Sequence, residues 1–166
     1  MKEKVAIVSS GYFPIPPVRG GAVEALIDMI VNQNESEGKI ALTIYSCFNE
    51  EAKEISDSYK NTEVKYIITP KIIQIMDVIT YWCAKNIFKK KKNMSYRYIF
   101  QRLHYIEKVA QDLSRSEYDR VVIENHMTLL KTIKRHGNAA KYEGKYYYHA
   151  HNVISFDFGC LDIFRK

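Results

Sequence analysis

Two histidines one residue apart, His149 and His151, followed by Asn152, are the residues of this chain whose types and spacing best suit chemistry. In extended backbone successive side chains alternate sides, so both imidazoles point one way and Asn152 the other. Such a pair suits three kinds of work. It could ligate a metal, with Glu124 and His126 completing the site. It could hydrogen-bond a phosphate or sugar hydroxyl, or move a proton. It could also simply bind neighbouring backbone. No second His-x-His, His-Glu-x-x-His or carboxylate cluster accompanies the pair, which weighs against metal. His104 reads as structural and His136 as a cation at a helix C-terminus, where the dipole favours it.

Two other groups share this chemical character. Glu124-Asn125-His126 presents carboxylate, amide and imidazole in succession. Gly20-Gly21 closes a loop stiffened by Pro14, Pro16 and Pro17 and precedes a helical pattern of Ala22, Val23, Leu26, Ile27 and Ile30. Bare N–H groups at the mouth of a helix bind anions well, phosphates above all. The same glycines would also serve a plain turn that needs positive φ. Neither G-x-G-x-x-G nor G-x-x-x-x-G-K-[ST] occurs, which argues against an ordinary dinucleotide or ATP site at this turn.

The elements that must position these groups alternate. Strands are expected at 4–9, 40–47 and 64–69, within 118–125 as Arg-Val-Val-Ile-Glu, and at 145–150. Helices are expected at 21–37, over 71–116 as two pieces broken near Lys92-Asn93, and at 126–136. Residues 49–60 read as a loop or short helix. This pattern predicts an α/β fold, a Rossmann-like parallel sheet with helices on both faces. Ligands of such sheets gather at the carboxyl edge, at a switch point of strand order. Ser9 to Tyr12, Ser46 to Asn49, Glu124 to His126 and His149 to Asn152 each follow a strand, so four strand ends carry polar groups toward that edge.

The chain has 166 residues, enough for one domain with a core. No apolar run reaches the ~20 residues of a membrane span, and no secretory signal core opens the sequence. Cys47, Cys83 and Cys160 show no paired spacing and suit a reducing cytoplasm. The net charge of +6 is concentrated. Between Asp77 and Glu107 there is no acidic residue, yet Lys85, Lys89, Lys90, Lys91, Lys92, Arg97 and Arg102 lie there among Tyr81, Trp82, Ile87, Phe88, Tyr96, Tyr98 and Phe100. An anionic membrane surface would attract such a stretch, and so would nucleic acid. A solvated helix face beside core aromatics would read the same way.

Taken in order, Gly20-Gly21-Ala22-Val23-Glu24, Ile123-Glu124-Asn125-His126 and Tyr148-His149-Ala150-His151-Asn152 resemble the N-terminal domain of retaining glycosyltransferases of the GT-B fold, of the group 1 type that builds bacterial capsule, lipopolysaccharide and other surface polysaccharides. The resemblance implies two Rossmann-like domains across a cleft, with this one on the acceptor side. It implies that Gly20, Gly21 and Glu24 lie at the phosphates of a UDP- or GDP-sugar donor. His151, with His149 second, would contact the transferred sugar as the catalytic pair. Tyr12, Glu124, Asn125, His126 and Asn152 would lie on the side of a glycan or lipid-linked acceptor. No cofactor and no metal is implied. The family's donor-binding E-x7-E pair is missing, since no two glutamates stand eight positions apart. Residues 1–166 are therefore expected to form a single acceptor-side domain that depends on a C-terminal domain or partner subunit and is inactive alone. Lys85, Lys89, Lys90, Lys91, Lys92 and Arg97 are expected to rest on the inner face of the cytoplasmic membrane, and nucleic acid is not an expected partner. A non-catalytic glycan-binding or partner subunit is the rival expectation.

Overall fold

The computed structural model describes residues 2–90, 96–124 and 127–151, with the side chains of 127–129 excepted. Four successive apolar residues, Val5 to Val8, cannot escape water if only one side of their strand is covered, and the fold covers both. They lie in β1 (Glu3–Val8), the middle strand of a five-stranded, wholly parallel sheet. The chain continues through α1 (Ala22–Glu37), β2 (Ile40–Cys47), α2 (Glu50–Ser56), β3 (Thr62–Ile67), α3 (Lys71–Asn86), α4 (Ile99–Arg115), β4 (Arg120–Glu124), α5 (Met127–Ile133), α6 (Asn138–Lys141) and β5 (Tyr146–His149). Strand order is β3-β2-β1-β4-β5, the Rossmann-like α/β arrangement expected from the alternation of elements.

The strand period divides the core into two layers. Val5 and Ile7 of β1, with Leu42 and Ile44 of β2, meet Ile27 and Val31 of α1. Ala6 and Val8 point the other way, to Tyr105, Ile106, Val109 and Leu113 of α4, beside Val121 and Ile123 of β4. Each aliphatic side chain buried in this way contributes about 1.5–3 kcal/mol before chain entropy is charged against it.

Element ends follow local chemistry. Gly38 closes α1 in a left-handed conformation, its N–H donated to the Asn34 carbonyl. Asn49 caps α2 by accepting from the Ala52 N–H, so the polar segment after β2 starts as a helix. β3 sits two residues earlier than expected because the Asn34 carboxamide reaches the Asn61 carbonyl and Thr62 hydroxyl at its start. The helix expected at 126–136 ends at Ile133. Asn138, donating to the Ala110 and Ile133 carbonyls, then opens the short α6. α4 has no side-chain cap of its own. The buried Asp77 of α3 supplies one, accepting the Phe100 and Gln101 N–H groups at 2.9 and 3.0 Å.

On the outer side of β2 and β3, Asp112 of α4 accepts from Tyr45 Oη at 2.6 Å and Lys65 Nζ at 2.7 Å. Burial alone would raise the Asp112 carboxyl, but the hydrogen bonds from Lys65 and Tyr45 outweigh it and hold the group below its ordinary 3.8. A carboxyl depressed by folding takes up protons more readily when unfolded. Its stabilisation is complete above the ordinary value and is lost as pH falls through the lower folded one. Asp112→Asn is therefore expected to cost no more than about 1 kcal/mol at neutral pH, because this half-exposed ion pair is screened by water. In strong acid the substitution should cost nothing. Urea unfolding of both proteins from neutral to strongly acidic pH checks this.

Candidate functional site at the carboxyl edge

The strand order reverses at β1, which has β2 on one side and β4 on the other, so the switch-point crevice opens above the carboxyl ends of β1 and β4. Val8 is registered with Ile123, so Ser9 and Glu124 leave neighbouring strands at the same level. Glu124 is registered in turn with His149. Partners in register present side chains to one face, and His151, two residues on, returns to it. The Glu124 carboxylate, which is 1% exposed, consequently meets both imidazoles. His151 Nε2 lies 2.6 Å from Oε2, and His149 Nδ1 lies 3.2 Å from Oε2 and 3.3 Å from Oε1. The two rings stand 4.3 Å apart. A carboxylate this deeply buried requires donors, and the imidazoles provide them. His151 is mostly covered, whereas His149 is more than half exposed. Because Glu124 engages Nε2 of His151, Nδ1 is the nitrogen left to face a ligand.

The same three residues form the one group among those described that could hold a metal ion, each offering a donor atom within 4.8 Å of the others. Two imidazoles and a carboxylate suit zinc or another first-row divalent ion. The direct 2.6 Å contact between Nε2 and Oε2 also satisfies the pair without one.

The loop after β1 is held firmly. Ile15 is fully buried, gives its N–H to Ser46 Oγ at 2.9 Å and receives the Tyr66 hydroxyl on its carbonyl at 2.8 Å. The Ser10 hydroxyl donates to Glu24 at 3.0 Å. Glu24 lies in the first turn of α1 and is itself buried. A Cβ on Gly21 would stand 2.2 Å from Glu24 Oε2, so glycine is what lets this carboxylate lie across the helix mouth. Gly20, by contrast, opens on free space.

Beside this loop a cleft of about 640 Å³ lies over the carboxyl ends of β1, β2 and β3. Its size suits a small-molecule ligand. Tyr12, Arg19, Lys71, Tyr98, Gln101 and Arg102 line it. The Arg102 guanidinium lies 4.9 Å from the centre of the Tyr12 ring, and Tyr98 meets that ring edge-on at 6.1 Å. Burial pushes the Cys47 thiol at the cleft floor up to about 11, which leaves it unreactive as a nucleophile at neutral pH.

Tyr12 therefore lines the cleft, whereas Glu124, His149 and His151 form a separate cluster that is not among its lining residues. Gly20, Gly21 and Glu24 stand at the mouth of α1. Asn125, His126, Asn152, Lys91 and Lys92 lie outside the described residues, as do Asn93 and Cys160. Lys85, Lys89, Lys90 and Arg97 are exposed. The neighbouring Trp82, Phe88 and Tyr98 are exposed too, so they are not core aromatics, and Ile87 beside them is likewise exposed. His104 touches the Ile68 carbonyl, and His136 pairs with Glu107 at 2.6 Å. Sequence reasoning missed Arg19 and Gln101 of the cleft and the Ser10–Glu24 bond. The position of Arg19 just before the glycine pair was the one available signal. Comparison with protein-family models, with curated proteins and with solved structures finds no match to this chain.

Proposed function

We propose that this chain is the acceptor-side half of a retaining sugar transferase, which moves a sugar from a UDP- or GDP-sugar to a hydroxyl of a glycan or lipid-linked acceptor in surface polysaccharide synthesis. The observation that carries the reading is the placement of His151. Buried Glu124 holds it at the carboxyl edge, beside the switch point where polar ligands of such sheets collect. The order of the three motifs supports it, since Gly20 and Gly21 stand at the mouth of α1, Glu124 ends β4, and His149 ends β5.

On this reading Nδ1 of His151 hydrogen-bonds the transferred sugar, and Glu124 acts as its positioning residue. The cleft takes the acceptor: Tyr12 and Tyr98 offer aromatic faces to a sugar ring, while Arg19 and Arg102 offer charge to an anionic group. Gly20, which opens on free space beside the mouth of α1, leaves room for the donor diphosphate, where negative charge grows as the leaving group departs. A second domain or subunit supplies the remaining donor contacts. The inner membrane face is the place of action. The rival is a non-catalytic glycan-binding or partner subunit of a split transferase.

The test is incubation of the full product of the gene with radiolabelled UDP- and GDP-sugars and bacterial membranes. Label moving into lipid or polysaccharide supports the reading. Failure to transfer or hydrolyse any donor sinks it, and transfer that needs a separately encoded polypeptide moves the subunit reading to first place.

A further inference from the structure

Ile72, Ile75, Val78, Ile79 and Trp82 recur along α3 at steps of three and four and so share one face of the helix. All five are exposed, Val78 at 67% and Trp82 at 56%. The opposite face, with buried Asp77 and Ala84, is the one turned inward. Ile87 and Phe88 prolong the exposed apolar surface beyond the helix end. None of the described residues covers this face. A continuous apolar surface of this kind marks a contact site.

Charge indicates what the contact is. Lys71 and Lys85 fall on the same helical face as Ile75, Val78 and Trp82, and Lys89 and Lys90 follow directly. The one acid of α3, Asp77, is turned away and engaged with α4. Pairing with a second copy would set lysine against lysine. Nucleic acid would satisfy the lysines but leave the aliphatic row in water. An anionic bilayer satisfies both: the aliphatic groups enter the acyl boundary, Trp82 sits among headgroups, and the lysines extend their charge to lipid phosphates. No described helix is long and apolar enough to cross a membrane, so α3 would lie in the surface plane.

We infer that α3 is a docking helix that lies in the headgroup region of an anionic membrane through Ile72, Ile75, Val78, Ile79 and Trp82. Pro70, Lys71 and Gln74 at its start also line the cleft, so docking brings the cleft mouth to headgroup level. The docking surface stands without the transferase reading. Only the corollary rests on it, that the acceptor entering the cleft is carried on a lipid.

Trp82 is the sole tryptophan, so its emission reports directly on this face. The chain is titrated with vesicles of phosphatidylcholine alone or enriched in phosphatidylglycerol, and cosedimentation is measured in parallel. The expected result is a blue shift and sedimentation with anionic vesicles, weakened by salt and slight with neutral ones. Ile75→Glu with Ile79→Glu should reduce partitioning about tenfold or more. Lys85→Glu with Lys89→Glu and Lys90→Glu should abolish the preference for anionic lipid. All of these residues are exposed, and far-UV circular dichroism confirms folding. Three outcomes overturn the inference: no shift with either vesicle, partitioning unchanged in both variants, or a blue shift that follows protein concentration without lipid, which would show a second copy on the face. Vesicle binding without sugar transfer upholds the surface and counts only against the transferase reading.

Discussion

On the proposed transferase reading, Glu124→Gln is expected to lower sugar transfer by about 10²–10⁴-fold with little change in KM for the nucleotide sugar, the range seen when an orienting carboxylate or hydrogen-bond partner is removed from a working imidazole. The substitution keeps the shape of the side chain but changes its chemistry. A carboxylate offers two acceptor oxygens, one for each imidazole, whereas the amide offers one oxygen and an NH2 group. Either His149 or His151 must then give up its N–H···O bond or change tautomer, and the Nδ1 of His151 is no longer held in one state. Steady-state kinetics with a labelled donor separates the possibilities. A fall in kcat fits a positioning role, a rise in KM alone assigns Glu124 to binding, and unchanged kinetics makes the cluster purely structural. His151→Ala should act on stability as well, at about 1–3 kcal/mol, because the buried carboxylate keeps only the exposed His149 as a partner.

Gly11→Ala should destabilise the domain by about 2–5 kcal/mol, a large share of the 5–15 kcal/mol that holds a typical domain together. Two independent costs combine. Gly11 has φ +73°, where a Cβ crowds the following carbonyl. That Cβ would also stand 2.6 Å from Cδ1 of Tyr105. Tyr105 cannot simply retreat, since it is buried in the core and its hydroxyl donates to the Tyr45 carbonyl at 2.8 Å and meets Ser9 Oγ at 3.1 Å. Gly20→Ala isolates the first cost, because φ there is +78° with no atom within 4 Å of the added carbon. Unfolding free energies of the two variants from urea titration should therefore differ by the overpacking contribution, about 1–3 kcal/mol, which separates their midpoints. Equal midpoints would show that Tyr105 yields freely.

The parts of the fold legible in sequence were those with a local cause. Val5 to Val8 announces a strand covered on both sides, and Arg120–Glu124 falls where the apolar run between polar neighbours puts it. The shared direction of His149 and His151 follows from a period of two. Their meeting with Glu124 does not, because it depends on the register of β4 against β5, which is set by packing across 25 residues of chain. The cleft was hidden for a similar reason: Gln101 and Arg102 reach it from α4 and Tyr98 from the residue before it, while Tyr12 reaches it from the loop after β1. α3 was legible as a helix, but its outward face was not. Apolar residues occur on every side of it, and periodicity cannot then say which side is covered. The buried Asp77 decides the matter, and a carboxylate amid an apolar run gives no sign in sequence of the helix end it caps.

The central position of β1 has a consequence for biosynthesis. β1 leaves the ribosome ahead of the other four strands of the sheet and can pair with β2, which β3 then joins, yet its other edge belongs to β4, more than a hundred residues later. At about 5–20 residues per second, the nascent chain carries that edge unpaired for on the order of 6–20 s. Through most of that time Ala6, Val8 and Tyr45 also lack α4, which covers their side of the sheet. A growing polypeptide with an open parallel edge and one wet apolar face is what chaperones at the exit tunnel bind, and slower translation between α3 and β4 would lengthen its exposure.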